Sequence, residues 1–158
     1  IFDILKECNY SNPGLQKNAL GLRFDFPNTE RTRFLPHQDL PYNIGGFNNL
    51  IVWLPLFKTF KEMGSLRVYP KTHLNKIYEY EIDRAGHKII KNIDQFKNFE
   101  EIFVDENEGV IFSSTLIHSS GRNISDIPRI TLIGRYFDYY DDSFVNRNFD
   151  PTPLKFEK

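Results

Sequence analysis

Three side chains of this 158-residue chain are of the types that bind a metal ion together: His37, Asp39 and His118. In His37-Gln38-Asp39 an imidazole and a carboxylate stand two residues apart, so on an extended backbone both point to the same face. Two histidines and one carboxylate on one face of an octahedron leave three coordination positions open, as in non-haem iron(II) oxygenases. The spacing therefore predicts a metal site. The alternatives are a polar strand end at residues 37–39 and a hydrogen-bonded structural histidine at position 118.

A pair of residues suited to bind a carboxylate follows the second histidine. On an extended strand, Arg129 and Thr131 would direct a guanidinium and a hydroxyl to one side. A guanidinium matches carboxylate geometry with two parallel hydrogen bonds, which is what anchoring the distal end of 2-oxoglutarate requires. Arg129 is thus a predicted anchor for this cosubstrate. The alternative is a surface ion pair, and a single arginine does not decide between the two.

Short apolar and β-branched segments are predicted to position these residues. Residues 20–26 alternate apolar and polar side chains, the pattern of a strand with one buried face. Residues 50–54 are β-branched and aromatic, which favours a central strand. Further strands or extended stretches are predicted at residues 34–39, 65–69, 110–112 and 129–137, with His118 in a loop between the last two. Residues 76–103 are interpreted as an insertion, in which 78–82 could form a strand and 93–102 a short helix or a covering loop.

The number of short strands predicts the class of fold. Six or more strands with few helices favour a mainly β protein, an antiparallel sandwich or jelly roll. With no internal repeat and no linker, the chain is expected to form a single domain over residues 1–158. Hydrophobic residues make up 40% and charged residues 26%, as in a soluble globular protein rather than a disordered or fibrous one.

Charge and hydropathy exclude several classes of partner. The net charge is −1 and no long run of lysine and arginine occurs, so neither nucleic acid nor an anionic membrane is an expected partner. The apolar run at residues 50–57 is interrupted by proline and is far shorter than the ~20 residues of a membrane span. Cys8 is the single cysteine, which excludes an intrachain disulfide and agrees with a reducing, cytoplasmic location, although a secreted protein without disulfide bridges would fit as well. A small molecule is the expected partner.

The order of the motifs resembles that of the phytanoyl-CoA dioxygenase family, whose members use iron(II) and 2-oxoglutarate. The resemblance covers about residues 20–137 and rests on His37-Gln38-Asp39, Trp53-Leu54-Pro55-Leu56, Gly64-Ser65-Leu66-Arg67-Val68-Tyr69-Pro70-Lys71-Thr72-His73, His118 with Asn123, and Arg129. Each motif by itself is only weakly specific for the family, but the joint order and spacing of the motifs argue against coincidence. Pro70-Lys71-Thr72-His73 departs from the family's usual Pro-Gly-Ser-His, and His73 is interpreted as a residue that fixes this loop.

The resemblance implies a double-stranded β-helix, a jelly roll whose open mouth holds iron, 2-oxoglutarate and substrate. It implies the same three metal ligands as the spacing does, and it implies that Arg129 forms the salt bridge to 2-oxoglutarate. Four further side chains occupy positions that line the cosubstrate pocket in the family: Ser120, Asn123, Thr131 and Trp53. Trp53 could equally be a core residue, and Asn123 could stabilise a turn. Because the chain is shorter than typical members, it is expected to be an oxygenase core that lacks part of their N-terminal region.

The implied activity is hydroxylation of a small-molecule substrate with dioxygen and 2-oxoglutarate, releasing succinate and CO2. The carboxylate of Asp39 favours hydroxylation over halogenation, because halogenases that resemble this family lack the carboxylate and bind halide in its place. Two other functions stay open: a non-catalytic or truncated jelly-roll binding module of the same fold and, with less support, a zinc hydrolase that uses the same ligands. A hydrolase gives no reason for a downstream arginine that binds a carboxylate. Neither the substrate nor the oligomeric state follows from the sequence.

Overall fold

Short strands separated by turns dominate the computed structural model, which describes residues 1–30, 33–43, 47–74, 77–96 and 98–142. Within these ranges the elements are α1 (Phe2–Glu7), β1 (Pro13–Leu15), β2 (Gly21–Asp25), β3 (Asn49–Pro55), β4 (Leu66–Val68), β5 (Tyr80–Ile82), β6 (Lys88–Ile90), β7 (Glu100–Ile102), β8 (Val110–Ser113), β9 (His118–Ser120) and β10 (Arg129–Asp138). Single 3-10 turns lie at Lys17–Ala19, Leu40–Tyr42, Lys61–Met63 and Ile93–Gln95. None of the helices in the described ranges has the length and apolar character needed to span a membrane.

Strand β10 organises a five-stranded antiparallel sheet. Strands β1 and β2 pair with its two halves along one edge, β3 pairs along the other edge, and β8 continues the sheet beyond β3. The register places Arg129 opposite Asp25, and Thr131 between Arg23 and Pro55. The predicted central strand is confirmed, because β3 lies between two neighbours and buries most of its side chains.

A second sheet has three strands in the order β7-β4-β9. Side chains from both sheets meet in one buried cluster, formed by Ile51, Trp53, Leu66, Val104 and Phe112. Two sheets that enclose a common apolar core are the arrangement of a β sandwich. The predicted mainly β, jelly-roll fold is therefore confirmed.

The alternation predicted along β2 is confirmed, but its buried face is the polar one. Leu22 and Phe24 are 52% and 41% exposed, whereas Asp25 is 4% exposed and Arg23 is partly buried. Burying a charged side chain costs free energy unless the charge is paired, so the pattern by itself favours burial of the apolar set. Here the charges are paired inside the sandwich, and this reversal brings two charged residues to the candidate site.

The prediction that a loop carries His118 is wrong, because His118 begins β9, which pairs with β4. All three residues of β9 are buried, so the strand shows no alternation that a sequence pattern could reveal. Within residues 76–103, the possible strand at 78–82 is confirmed, whereas the short helix or covering loop at 93–102 is only partly so. Residues 78–82 contribute one strand to a hairpin of β5 and β6, and residues 93–102 hold both a 3-10 turn and β7, a strand of the second sheet. Residue 97 lies outside the described residues.

Two glycines let the start of β4 meet the end of β9. Gly64 has a φ of +74°, and a Cβ atom there would lie 2.5 Å from the carbonyl oxygen of Gly121. The amide of Gly121 donates to the carbonyl of Ser65 at 2.8 Å. Glycine alone tolerates a left-handed conformation in such close contact with another backbone. This contact therefore fixes β9, and with it His118, against β4.

Candidate active site

Two backbone hydrogen bonds bring the predicted histidine ligands together. The amide of His37 donates to the carbonyl of His118, and the amide of His118 donates to the carbonyl of His37, each at 3.0 Å. The two residues thus form a hydrogen-bonded antiparallel pair, and their ring centroids lie 4.2 Å apart. Because main-chain atoms make this pairing, the fold itself sets the separation of the two rings.

Main-chain carbonyls also fix the orientation of both imidazole rings. Nδ1 of His37 lies 2.8 Å from the carbonyl oxygen of Leu35, and Nδ1 of His118 lies 3.0 Å from that of Leu116. A carbonyl oxygen only accepts, so each Nδ1 carries the proton of the neutral ring and each Nε2 presents a lone pair. Partners of this kind are typical of histidines that bind a metal ion.

Asp39 completes the group of three. It immediately precedes the 3-10 turn Leu40–Tyr42, and its Oδ2 lies 3.6 Å from Nε2 of His118. One ligand atom from each of the three predicted residues lies within 4.8 Å of the other two. In the described part of the chain this is the one cluster of at least three such residues. The structure therefore brings together the three residues that were predicted to bind iron.

Gln38 links the segment that carries His37 and Asp39 to the segment that precedes His118. Its Nε2 donates to the carbonyl of Thr115 at 2.5 Å, and its Oε1 accepts from the amide of Tyr78 at 3.0 Å. The side chain is almost fully buried, so these bonds are protected from water. Gln38 thus holds the segment that carries His37 and Asp39 against the chain that leads into β9.

Burial keeps both imidazoles neutral. It lowers the pKa of His37 to about 3, with a smaller effect in the same direction from His118, and it also lowers the pKa of His118. Burial alone would raise the pKa of Asp39, but His118 and the guanidinium of Arg135 outweigh it and leave the pKa below its ordinary value. At neutral pH the group consists of two neutral imidazoles and a carboxylate. These are the protonation states that bind a metal ion.

Arg129 lies in a buried ion pair, so the alternative of a surface pair is wrong. Its side chain is 2% exposed, and its Nη2 lies 2.7 Å from Oδ2 of Asp25. Asp25 is shared, because Nη2 of Arg23 lies 2.5 Å from its Oδ1. Oγ of Ser120 accepts from both guanidinium groups, at 3.0 Å from Arg23 and 3.2 Å from Arg129. One carboxylate thus faces two guanidinium groups, and the cluster carries an excess positive charge.

Several polar atoms beside this cluster fit a bound carboxylate. Nε and Nη1 of Arg129 and Oγ1 of Thr131 are buried and have no hydrogen-bond partner among the described residues. A buried polar group without a partner costs about 1 to 3 kcal/mol, and a charged one costs more. The unused donors and the excess positive charge together match the distal carboxylate of a ligand such as 2-oxoglutarate.

A cavity between the two sheets connects the histidines to the arginines. Charged and polar residues line it together with Trp53: Arg23, His37, Asp39, His118, Ser119, Ser120 and Arg135. Trp53 belongs both to this wall and to the buried core, so its two predicted roles are compatible. Arg129 and Thr131 are not part of the wall, and the guanidinium carbon of Arg129 lies 5.8 Å from the centre of the Trp53 ring.

Asn123 stabilises its own loop. Its Nδ2 donates to the carbonyls of Asp25 and Ile127, both at 2.9 Å, and its Oδ1 accepts from the amide and hydroxyl of Ser125. The alternative of a turn-stabilising residue accounts for all of these bonds. A contact between Asn123 and the cosubstrate stays a prediction, although the residue does not line the cavity.

Three charged residues of the site do not emerge from the sequence prediction: Arg23, Asp25 and Arg135. Nη2 of Arg135 lies 2.6 Å from Oδ1 of Asp39, so this arginine contacts a predicted metal ligand directly. A weak signal was available. Residues an even number apart on a strand share a face, which places Arg135 on the face of Arg129 and places Arg23 with Asp25.

The sequence matches the family described as phytanoyl-CoA dioxygenase over residues 5–131. This chain belongs to the phytanoyl-CoA dioxygenase family. The predicted family is thereby confirmed, and the predicted cofactors, iron(II) and 2-oxoglutarate, are those on which the family depends. Comparison with curated protein sequences gives no match.

Solved structures of non-haem enzymes share the fold. ThoJ, a non-haem monooxygenase, is 21% identical with a TM-score of 0.63, over 75% of this chain and 45% of ThoJ. EvdO2 from Micromonospora carbonacea var. aurantiaca, solved with 2-oxoglutarate, is 19% identical with a TM-score of 0.62, over 76% of this chain and 52% of EvdO2. SnoN, an α-ketoglutarate-dependent epimerase from nogalamycin biosynthesis, is 19% identical with a TM-score of 0.54, over 85% of this chain and 51% of SnoN. The matched part of this phytanoyl-CoA dioxygenase family member spans about half the length of each.

Proposed function

We propose that this chain is the core of an iron(II)- and 2-oxoglutarate-dependent dioxygenase that hydroxylates a small-molecule substrate and releases succinate and CO2. One observation carries the proposal. His118, in the candidate metal group, and Ser120, which accepts from Arg129, are alternate residues of one strand. A metal-ligand group therefore lies next to a positively charged cluster with unused donors. The metal group alone would suit a zinc hydrolase equally well, whereas an adjacent carboxylate site is a requirement of 2-oxoglutarate.

Each site residue has a distinct role in this proposal. Nε2 of His37, Nε2 of His118 and one oxygen of Asp39 hold iron(II), and Arg129 with Thr131 binds the C5 carboxylate of 2-oxoglutarate. When bound, iron(II) and 2-oxoglutarate supply the activation of dioxygen, and the protein contributes binding and orientation. Strand β9 sets the distance between the two sites, because two residues of a strand span about 7 Å.

Aromatic side chains shield the candidate metal ligands from water. The ring of Phe112 packs edge-on against His118 with centroids 4.7 Å apart, and Phe34 lies 5.1 Å from His37. Both aromatic residues line the cavity with Ile51, Leu66 and Ile133. An apolar lining excludes bulk water and strengthens the electrostatic interactions of the charged groups that remain. The apolar part of the cavity wall thus lies beside the proposed metal ligands, and the polar part lies towards the arginines.

Hydroxylation is proposed over halogenation because Asp39 supplies the third ligand as a carboxylate. Epimerisation is the activity named for SnoN, and it is distinguished by the product. A hydroxylated product gains one oxygen atom, and an epimerised product has the mass of the substrate. Mass spectrometry of the product therefore tests this part of the proposal once a substrate screen gives turnover.

Anaerobic titration of the protein with iron(II) and then 2-oxoglutarate tests the central claim. We expect a weak visible metal-to-ligand charge-transfer band, because the 2-oxo acid chelates the metal. Arg129→Ala is expected to lose the band at the same 2-oxoglutarate concentration, since removing a buried charged partner costs about 2 kcal/mol or more. Arg67→Ala is the matched control. Arg67 is a partly buried arginine paired with Glu101 at 2.9 Å, outside the cavity, and its variant should keep the band.

Two results would contradict the proposal at different points. A folded, iron-loaded wild-type protein without the band would overturn the oxygenase function and favour the non-catalytic binding module. A band of wild-type strength in Arg129→Ala would leave the oxygenase function in place and remove Arg129 from the cosubstrate site. Succinate formation after admission of dioxygen then measures turnover directly.

A further inference from the structure

Arg135 contacts the candidate metal group without being one of its ligands. Its Nη2 lies 2.6 Å from Oδ1 of Asp39, and its Nη1 donates to the carbonyl of Ala19 at 3.3 Å. The Asp39 side chain is 4% exposed, so the carboxylate has little access to water as a competing partner. A charge-assisted hydrogen bond of this kind is short and orients both groups.

The two oxygens of Asp39 point to different partners. Oδ1 is held by Arg135, whereas Oδ2 lies 3.6 Å from Nε2 of His118, the atom that presents a lone pair to the centre of the group. To give both oxygens to one ion, the carboxylate would have to turn, and Oδ1 would move from its present position 2.6 Å from the guanidinium. That rotation would disturb the charge-assisted hydrogen bond between Arg135 and Asp39, which is partly buried and therefore partly protected from water.

We propose that Arg135 is a positioning residue that restrains Asp39 to bind the metal through Oδ2 alone. The inference rests on the proposed function and extends it to a residue outside the ligand set. Two imidazoles and one carboxylate oxygen leave three coordination positions open, which is the number that a chelating 2-oxo acid and dioxygen together require. A second oxygen from Asp39 would occupy one of these positions.

The position of Arg135 on β10 suits this role. Side chains alternate along a strand, so Arg135 and Arg129 share the face that looks towards the cavity, about 20 Å apart along the strand. Arg129 pairs with Asp25 and serves the candidate carboxylate site, while Arg135 serves the metal group. The next residue, Tyr136, instead packs edge-on against Phe2 of α1, with ring centroids 6.0 Å apart. Partners of metal ligands typically contribute tenfold to a hundredfold to metal affinity.

Infrared difference spectroscopy of the zinc-loaded minus the metal-free protein tests the proposal, with zinc as a redox-inert replacement for iron(II). The antisymmetric and symmetric stretches of a carboxylate lie further apart when one oxygen binds the metal than when both do. We expect the wide separation in the wild type and a narrower one in Arg135→Gln, with zinc affinity lower by about tenfold to a hundredfold. Asp39→Asn identifies the bands that belong to Asp39.

Two further variants make the test specific. Arg135→Lys keeps a positive charge near Oδ1 and should keep the wide separation, with an affinity between those of the wild type and Arg135→Gln; it also carries the test if Arg135→Gln does not fold. Arg67→Gln removes a partly buried arginine from the pair with Glu101 and should behave as wild type. A wild-type separation and affinity in Arg135→Gln, or a narrow separation in Arg135→Lys, would overturn the positioning role. A wild-type protein that binds no zinc would overturn this role and the proposed function together.

Discussion

Strand β10 carries two arginines that each pair with a carboxylate, and the two pairs differ in which polar atoms remain available to a ligand. In the Arg129–Asp25 pair both side chains are almost fully buried, 2% and 6% exposed, while Arg135 in its pair with Asp39 is 23% exposed. Asp25 also pairs with the guanidinium group of Arg23, so these three side chains together carry an excess positive charge. In the second pair, Oδ2 of Asp39 still faces the histidine ligands. The first pair is therefore suited to receive an anion, and the second offers a donor atom to a cation.

The difference teaches that a buried ion pair is not by itself evidence of a structural role. Desolvation makes a buried pair costly, and the cost is offset when further hydrogen bonds satisfy the remaining atoms. At Asp39 the opposite oxygen is available for a metal, and at Arg129 two nitrogens have no partner among the described residues. Each incomplete set of bonds indicates the ligand that would complete it.

His118→Ala removes a ligand from the metal end of the site, the group of His37, Asp39 and His118. It should have the largest effect on ligand binding. Removing one of three protein ligands is expected to abolish measurable iron(II) binding, because the remaining His37 and Asp39 leave the ion mostly in water. Anaerobic equilibrium dialysis measures the affinity. His73→Ala is the control, since His73 is exposed and lies outside the cluster. Undiminished iron affinity in His118→Ala would remove this residue from the site.

Asp25→Asn tests the carboxylate end of the site, the cluster of Arg23, Asp25, Ser120 and Arg129, by removing the negative charge of Asp25. Two guanidinium groups, those of Arg23 and Arg129, would then face each other without a carboxylate, and we expect the free energy of unfolding to fall by about 3 kcal/mol. Added 2-oxoglutarate should raise the unfolding midpoint of the variant more than that of the wild type, because it returns the missing charge. Chemical denaturation with and without 2-oxoglutarate measures both effects.

Glu101→Gln is the matched control for this change, because it removes the partner of Arg67 in a more exposed pair of the second sheet. A loss below about 1 kcal/mol is expected there. If Asp25→Asn gained no more stability from 2-oxoglutarate than the wild type does, the anion-binding assignment of this end would fail.

Acid should act on the metal end of the metal-free protein. The pKa of His37 is lowered to about 3 in the folded chain from an ordinary value of 6.5, so the unfolded chain binds the proton first. His37 therefore contributes stability above about pH 6.5, and this contribution is lost as the pH falls towards 3. We expect the free energy of unfolding to fall less steeply between pH 6.5 and 4 in His37→Gln than in the wild type. Parallel curves for the two proteins would contradict this assignment.

The metal end was predictable because its signals are local or carried by residue type. His37 and Asp39 stand two apart, and the histidine that completes the group follows an apolar strand. The pairing of His37 with His118 spans 81 positions and needs no sequence signal of its own, because main-chain atoms make it. Strand β3 was predictable for a related reason: a strand that buries most of its side chains is apolar at nearly every position.

The carboxylate end was only half predictable. Arg129 follows from its place after His118, but its partner Asp25 lies 104 positions away and depends on the register between β2 and β10. The alternation of β2 favours burial of Leu22 and Phe24, and the structure buries the opposite face. Pairing of charges across strands decided the orientation, and a one-strand pattern cannot contain that information.

Ser120→Ala should have the smallest effect and sharpens the comparison within the carboxylate end. Oγ of Ser120 accepts from both Arg23 and Arg129, so its loss removes an acceptor without changing any charge. The hydrogen bond to Arg129, the proposed cosubstrate anchor, is the one of the two that bears on 2-oxoglutarate, and its net contribution of about 1 kcal/mol predicts roughly fivefold weaker binding of 2-oxoglutarate, with unchanged iron(II) affinity. Ser125→Ala, which removes a hydroxyl from the Asn123 loop outside the cavity, is the control. An effect of Ser120→Ala on iron(II) as large as that on 2-oxoglutarate would mean that β9 transmits the change to His118 and that the two ends do not act independently.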